Sequence, residues 1–260
     1  MSSAPTSSST RDDHGTKGGR SLVVPIVALV AAMALAVAAF AGGTGDDDAP
    51  DGAGAATEAS TDAGADDPQA AERAEVMGEL ERREEGDPLA LGDVDAPVLM
   101  IEWADFQCPF CGSFARDTKP ELVDRYVDEG ILRIEWRDFA ILGEESQLAA
   151  LAGRAAAEQD AFWEMHDEIF SEDRPRNEGH LDRDALTAMA GDLGLDTEQF
   201  AEDFDDPAHA QVAQEDLQVG QALGITGTPA FLINGRPLIG GQPVDAFIEL
   251  IEQAAAEAGV

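Results

Sequence analysis

Twenty consecutive residues, Leu22 to Ala41, carry no charge, and no other stretch of the 260-residue chain is so uniformly apolar. As a helix rising 1.5 Å per residue, the stretch spans a bilayer core of about 30 Å. Pro25 falls in its first turn, where a missing N–H does little harm. Residues 42–86 are rich in Gly, Ala, Asp and Glu, with no apolar periodicity in the first half, and read as a flexible, self-repelling tether. Within it, Ala71 to Glu85 has the make-up of a polar helix with little to hold it in place. After Asp87 the texture changes. Val98-Leu99-Met100-Ile101 is a short apolar run, expected as a buried strand ending near Asp105. A helix is expected over Asp117 to Glu129, with Pro120 as a point of kinking, and an alternating strand over Ile131 to Phe139. Residues 145–222 read as helical throughout. Phe162, Trp163, His166, Ile169 and Phe170 form one stripe, and Asp196 to Gln199 resembles a capping box before Phe200 and Phe204. A strand over Ala230 to Ile233, a tight turn at Asn234-Gly235, a partner strand at Pro237-Leu238-Ile239 and a helix from Val244 to Ala256 complete the chain.

Charge adds an orientation. Arg11, Lys17 and Arg20 precede the apolar segment and Asp46, Asp47 and Asp48 follow it, so the N-terminus is expected in the cytoplasm and the rest outside. A cleaved signal peptide is the competing reading, since Ala39-Phe40-Ala41 is a small-x-small site, but the apolar run is longer than such regions usually are. The formal net charge of −37 argues against a nucleic-acid partner, because phosphate backbones are bound by neutralising Lys and Arg. It reads as a heavily solvated surface, or as a field that draws cationic partners.

The two cysteines sit three positions apart, at 108 and 111. A bridge closing so small a loop removes little entropy from the unfolded chain, so its purpose is chemical. Cys108-Pro109-Phe110-Cys111 follows a strand and opens a helix, where free N–H groups and the helix dipole stabilise a thiolate. Cys108, nearer the open end, is the expected nucleophile, and Cys111 the thiol that resolves a mixed disulfide. A zinc site lacks a second cysteine pair, and the histidines at 14, 166, 180 and 209 lack ligand spacing. No metal and no cofactor beyond the redox-active disulfide Cys108–Cys111 is expected. His166 reads as a core histidine, and Trp103, Trp136 and Trp163 as packing residues.

The segment Glu102-Trp103-Ala104-Asp105-Phe106-Gln107-Cys108-Pro109-Phe110-Cys111 resembles the active-site segment of the disulfide bond protein A (DsbA) family of thioredoxin-like oxidoreductases. Gly224-Ile225-Thr226-Gly227-Thr228-Pro229-Ala230-Phe231 is similar to that family's cis-proline loop, and Phe162-Trp163-Glu164-Met165-His166 to a helical signature of its inserted domain. The matches run from about Leu89 to the end. The resemblance implies an α/β thioredoxin fold with an inserted helical subdomain at about 145–222, a cis Pro229 against the disulfide, and a Thr228 backbone free to pair with substrate beside Pro109 and Phe110. It places a buried acid at Glu102 as proton relay for Cys111. A solvent-facing Glu102 is the alternative, because Ile101 and Trp103 flank it on both sides. Pro-Phe between the cysteines departs from the Pro-His of the strongly oxidising prototype, which removes one contribution to thiolate stability.

The expected organisation is a cytoplasmic tail (1–21), a transmembrane anchor (22–41), an acidic linker (42–86) and a catalytic domain (87–260). The expected reaction is disulfide transfer to exported polypeptides, with re-oxidation by a quinone-linked membrane thiol oxidase that the resemblance implies. Running the same site backwards gives a reductase or isomerase, although the linker does not read as a dimerisation domain and a monomer is expected. A thiolate metal-binding module such as a copper chaperone is the rival from another class, though no His or Met lies beside the motif.

Overall fold

β2 (Val98–Ala104) is buried along its whole length, and the alternation of its side chains divides the interior into two layers. The computed structural model describes residues 68–260, so the apolar segment 22–41 and the tether as far as residue 67 lie outside it. Even-numbered Val98 and Met100 join Leu132, Ile134, Phe231 and Phe247 on one face. Odd-numbered Leu99, Ile101 and Trp103 pack with Phe139 and Ala230 on the other. Five strands, completed by β1 (Ala90–Leu91), β3 (Leu132–Asp138), β4 (Ala230–Ile233) and β5 (Arg236–Ile239), lie in the order β1-β3-β2-β4-β5. Only β2 and β3 run parallel, and the helix that crosses between them covers the even face. This is the expected thioredoxin-like α/β arrangement.

That crossing helix begins earlier than residue 117. Pro109–Ser113, Phe114–Thr118, Lys119–Leu122 and Val123–Val127 run on as one helix, α2, over residues 109–127, with the second and fourth segments in wider five-residue turns. Pro120 has no N–H to donate, and Lys119 N reaches back to Phe114 O just before it. The widened turn takes up the mismatch, and the helix continues.

The block expected as helical throughout is five helices: α3 (Glu144–Ala157), α4 (Phe162–Phe170), α5 (Arg183–Asp192), α6 (Thr197–Phe204) and α7 (Pro207–Ala222). A loop at 171–182, with Pro175 and Gly179, interrupts them. Fully buried Ala149, Ala152, Ala155 and Ala156 let α4 approach α3 closely, and its Phe162, Met165 and Ile169 fill the space. Asp196 caps α6 through Glu198 N and Gln199 N, but its own N–H goes to Gln159 Oε1, so the box is only half formed. α7 lies so close to the odd face that a Cβ on Gly220 would come within 2.7 Å of the Phe139 ring. The hairpin turn forms as expected, with Asn234 at φ 41° and Gly235 at φ 80°, and α8 (Val244–Ala258) closes the even face through Phe247 and Ile251.

Two expectations need correcting. The tether does not extend to residue 86: α1 (Pro68–Leu80) docks on the odd face through buried Met77 and Leu80. β3 does not alternate between core and solvent, since all seven residues are buried. Its odd side chains form an ion cluster in place of a wet face. Glu135 accepts from Arg82 N, Arg83 N, Arg133 Nε and Arg137 Nη2, all between 3.0 and 3.1 Å. Arg154 bridges Asp138 and Asp216 at 2.6 Å each. The residues just after α1 thus supply the main-chain donors that make Glu135 tolerable in the interior. Among the described residues, no helix is long and apolar enough to cross a membrane.

Candidate active site

Asp105 follows the last residue of β2 and fixes the loop that carries the cysteines. Its carboxylate accepts from Gln107 N and Ser146 Oγ on one oxygen, and from Ile141 N and Leu142 N on the other, at 2.7–3.0 Å. Gln107 reaches Ser146 and Asn177, and so pins the same loop to the helical block. Neither residue stood out in the sequence as part of the site. An Asp directly after a strand that is apolar but for Glu102 was the available signal.

Cys108 sits at the position before the first turn of α2, with φ −83° and ψ 118°, and Cys111 lies one turn in, fully buried. Both are thiols in this structure. Their acidities are pushed apart. Cys108 is lowered to about 6 by the hydrogen bond it receives from the Cys111 thiol, then by the Thr228 side chain and the backbone N–H groups of Cys111 and Phe110, against the cost of burial. The Thr228 carbonyl, 3.2 Å from Cys108 Sγ, accepts a proton only from the neutral thiol and so pulls the other way. Cys111 is pushed well above the ordinary thiol range by burial and by its bond to Cys108. Phe110 supplies no imidazole, and the thiolate is instead held by the second thiol and the helix N-terminus.

Glu102 lies on the even face, beneath α2, between Trp136 of β3 and Phe231 of β4. It is 1% exposed, which removes the solvent-facing alternative. Burial raises its carboxyl to about 8 despite the opposing charge of Lys119, and its Oε2 has no hydrogen-bond partner. It is close enough to raise Cys111 further when charged. Lys119, also buried, meets His166 Nδ1 at 3.2 Å and Asp167 Oδ1 at 2.5 Å. His166 is a core histidine, lowered to about 4 by burial and by Lys119. Trp103 and Trp136 are buried in packing, and Lys119 lies 4.8 Å from the centre of the Trp163 ring.

The Thr228–Pro229 peptide is cis, and its loop faces Cys108. Beside it Phe110 is 61% exposed and Ile239 56%, an apolar surface at the mouth of the site. On the other side of Cys108 a cleft of about 150 Å³ opens towards the loop after α4. The structure therefore brings Thr228 and Pro229 to the segment that carries Glu102, Cys108, Pro109, Phe110 and Cys111, from which the sequence separates them by more than a hundred residues. Among the described residues no cluster of His, Cys, Asp and Glu is arranged to hold a metal ion.

A thioredoxin family model matches residues 84–253. A probable disulfide bond formation protein D of Bacillus cereus is 31% identical over 151 residues, covering 56% of this chain and 70% of that one. A protein named Na(+)/H(+) antiporter NhaA 3, of Salinispora tropica, is 34% identical over 169 residues, covering 64% of this chain. The match spans only 24% of that relative's length. Among solved structures, oxidised BdbD of Bacillus subtilis superposes with a TM-score of 0.60 at 26% identity, covering 66% of this chain and 94% of that one.

Proposed function

The chain belongs to the thioredoxin family as a DsbA-like thiol–disulfide oxidoreductase, and we propose that it oxidises exported polypeptides through Cys108 and Cys111 while held at the membrane by Leu22–Ala41. The observation that carries the reading is the division of acidity between the two thiols. A thiol near 6 is about nine-tenths ionised at pH 7, and a low-pKa thiolate is a good leaving group.

The reaction runs in two exchanges. A substrate thiolate attacks Cys108 Sγ of the disulfide, the S–S bond breaks, and Cys111 leaves with the electron pair. Buried as it is, that sulfur needs a proton, and Glu102 is the neutral acid beneath it. The substrate's second thiolate then attacks its own sulfur in the mixed disulfide and expels Cys108 as a thiolate. Two electrons pass from substrate dithiol to the cysteine pair, and a membrane thiol oxidase returns the pair to the disulfide. The cis Pro229 loop and exposed Phe110 form the wall against which the substrate backbone lies.

The test is trapping in cells with the full-length protein. Cys111→Ser is expected to accumulate mixed disulfides through Cys108 with exported polypeptides, and Cys108→Ser almost none. Equal trapping by both variants overturns the roles, and capture of cytoplasmic proteins alone overturns the location. Equilibration with glutathione buffers settles direction. A potential of about −120 to −200 mV fits donation of disulfides, and one near −270 mV or below leaves the reductase reading standing.

A further inference from the structure

The cleft beside Cys108 has an apolar floor that includes Ile169 and Phe170, and its rim carries Arg116, Arg174 and Arg176. The chain has 16 basic residues against 53 acidic ones, yet three arginines converge on one opening at the nucleophile. Two of them are held by the main chain. Arg116 Nη1 donates to Phe170 O at 2.7 Å, and Arg174 Nη1 donates to Ile169 O. Both carbonyls lie at the C-terminal end of α4, where acceptors are unpaired and cations are favoured. Their guanidinium groups are thus in place before any ligand arrives. Asp173 pairs with Arg116 at 2.7 Å and Glu172 with Arg174 at 3.4 Å, both carboxylates being 71% exposed. The Arg176 guanidinium has no hydrogen-bond or ion-pair partner among the described residues.

We propose that this cleft receives an acidic segment of the substrate, so that the protein prefers cysteines flanked by Asp or Glu, with Arg176 determining that preference. The inference rests on the disulfide-exchange reading above and names the substrate class for it. A guanidinium presents a planar fork of donors that matches a carboxylate, and Arg176 offers one unengaged. The net charge of −37 opposes an acidic partner at long range. At physiological salt that field is screened beyond about 8 Å, whereas a carboxylate in the cleft touches the arginines directly. Contact wins. On the far side of Cys108 the exposed Phe110 and Ile239 carry no charge, so selection by charge falls to the arginine rim.

The test uses oxidised full-length protein and three synthetic dithiol peptides that differ only in having Glu, Gln or Lys beside the reacting cysteine. The expected order of oxidation rates is Glu, then Gln, then Lys, with Glu about three- to tenfold faster than Lys at low salt. That ratio should shrink towards one at about 1 M salt, where the Debye length is about 3 Å. Arg176→Glu is expected to reverse the order, while Arg125→Glu, an exposed arginine on α2 paired with Glu121, keeps it. Equal rates for all three peptides, a faster Lys peptide, or an unchanged order in Arg176→Glu each overturn the proposal while leaving disulfide exchange intact. Oxidation of none of the peptides overturns the reading beneath it.

Discussion

Glu102 is a carboxyl that the fold keeps protonated. Its acidity moves from 4.5 unfolded to about 8 folded, so folding takes up a proton between those values. Stability from this residue is therefore fully present below pH 4.5 and is lost as pH rises through 8, by a few kcal/mol. Glu102→Gln removes the titration. Urea unfolding should find variant and wild type similar near pH 5 and the variant more stable near pH 8, and a difference independent of pH would show that the carboxyl is not held neutral. The same variant should form mixed disulfides with substrate about 10²-fold more slowly, because the leaving Cys111 loses its acid. His166 has the opposite sign. Its neutral form favours the fold above 6.5, and that contribution is lost as pH falls through 4. The motif alone placed Glu102 near the cysteines. Alternation could not, because Ile101 and Trp103 are as buried as Glu102 and no side of β2 is wet.

The same absence of a wet side explains which elements were misread. The strands β2 to β5, the hairpin and the closing helix follow from apolar runs and turn residues, and these came through in the sequence. α1 came through as a polar helix but its docking did not, because Met77 and Leu80 are its buried anchors and polar groups in the segment after it do the rest. Arg82 and Arg83 look like solvated charge in sequence, yet their main-chain N–H groups complete the shell of Glu135. A chain lacking residues 68–86 would leave that carboxylate buried with two donors fewer and uncover Leu99 and Ile101. Its unfolding free energy should fall by about 3–5 kcal/mol, read as a lower urea midpoint, the range seen when a buried ion pair loses one partner. An unchanged midpoint would make α1 an ornament. The turn beneath α1 is equally constrained: a Cβ at Gly235 would lie 2.6 Å from Cβ of Arg73.

Taken whole, the molecule hides much of its scarce positive charge. Arg133, Arg137 and Arg154 lie inside with Glu135, Asp138 and Asp216, so this burial leaves the net charge of the outer surface unchanged but leaves fewer cations on it to offset the acids locally. Net charge was plain in the sequence, but which arginines lie inside and which meet at the cleft depended on packing across β3 and α4. The two thiols have a further consequence when the protein is regarded as a two-electron couple. Oxidation releases two protons below about pH 6 but only one above it, since Cys108 has already ionised and Cys111 has not. Each proton tilts the midpoint by about 30 mV per pH unit, so a plot from pH 5 to 8 should bend near 6, from a slope of about 60 to one of about 30. A straight line at the steeper slope would mean that Cys108 keeps its proton. Ordinary dithiols, ionising near 8.5, release two protons over this whole interval. The equilibrium constant for oxidising them should therefore rise about tenfold with each unit above pH 6, making alkalinity itself a driving force for disulfide formation.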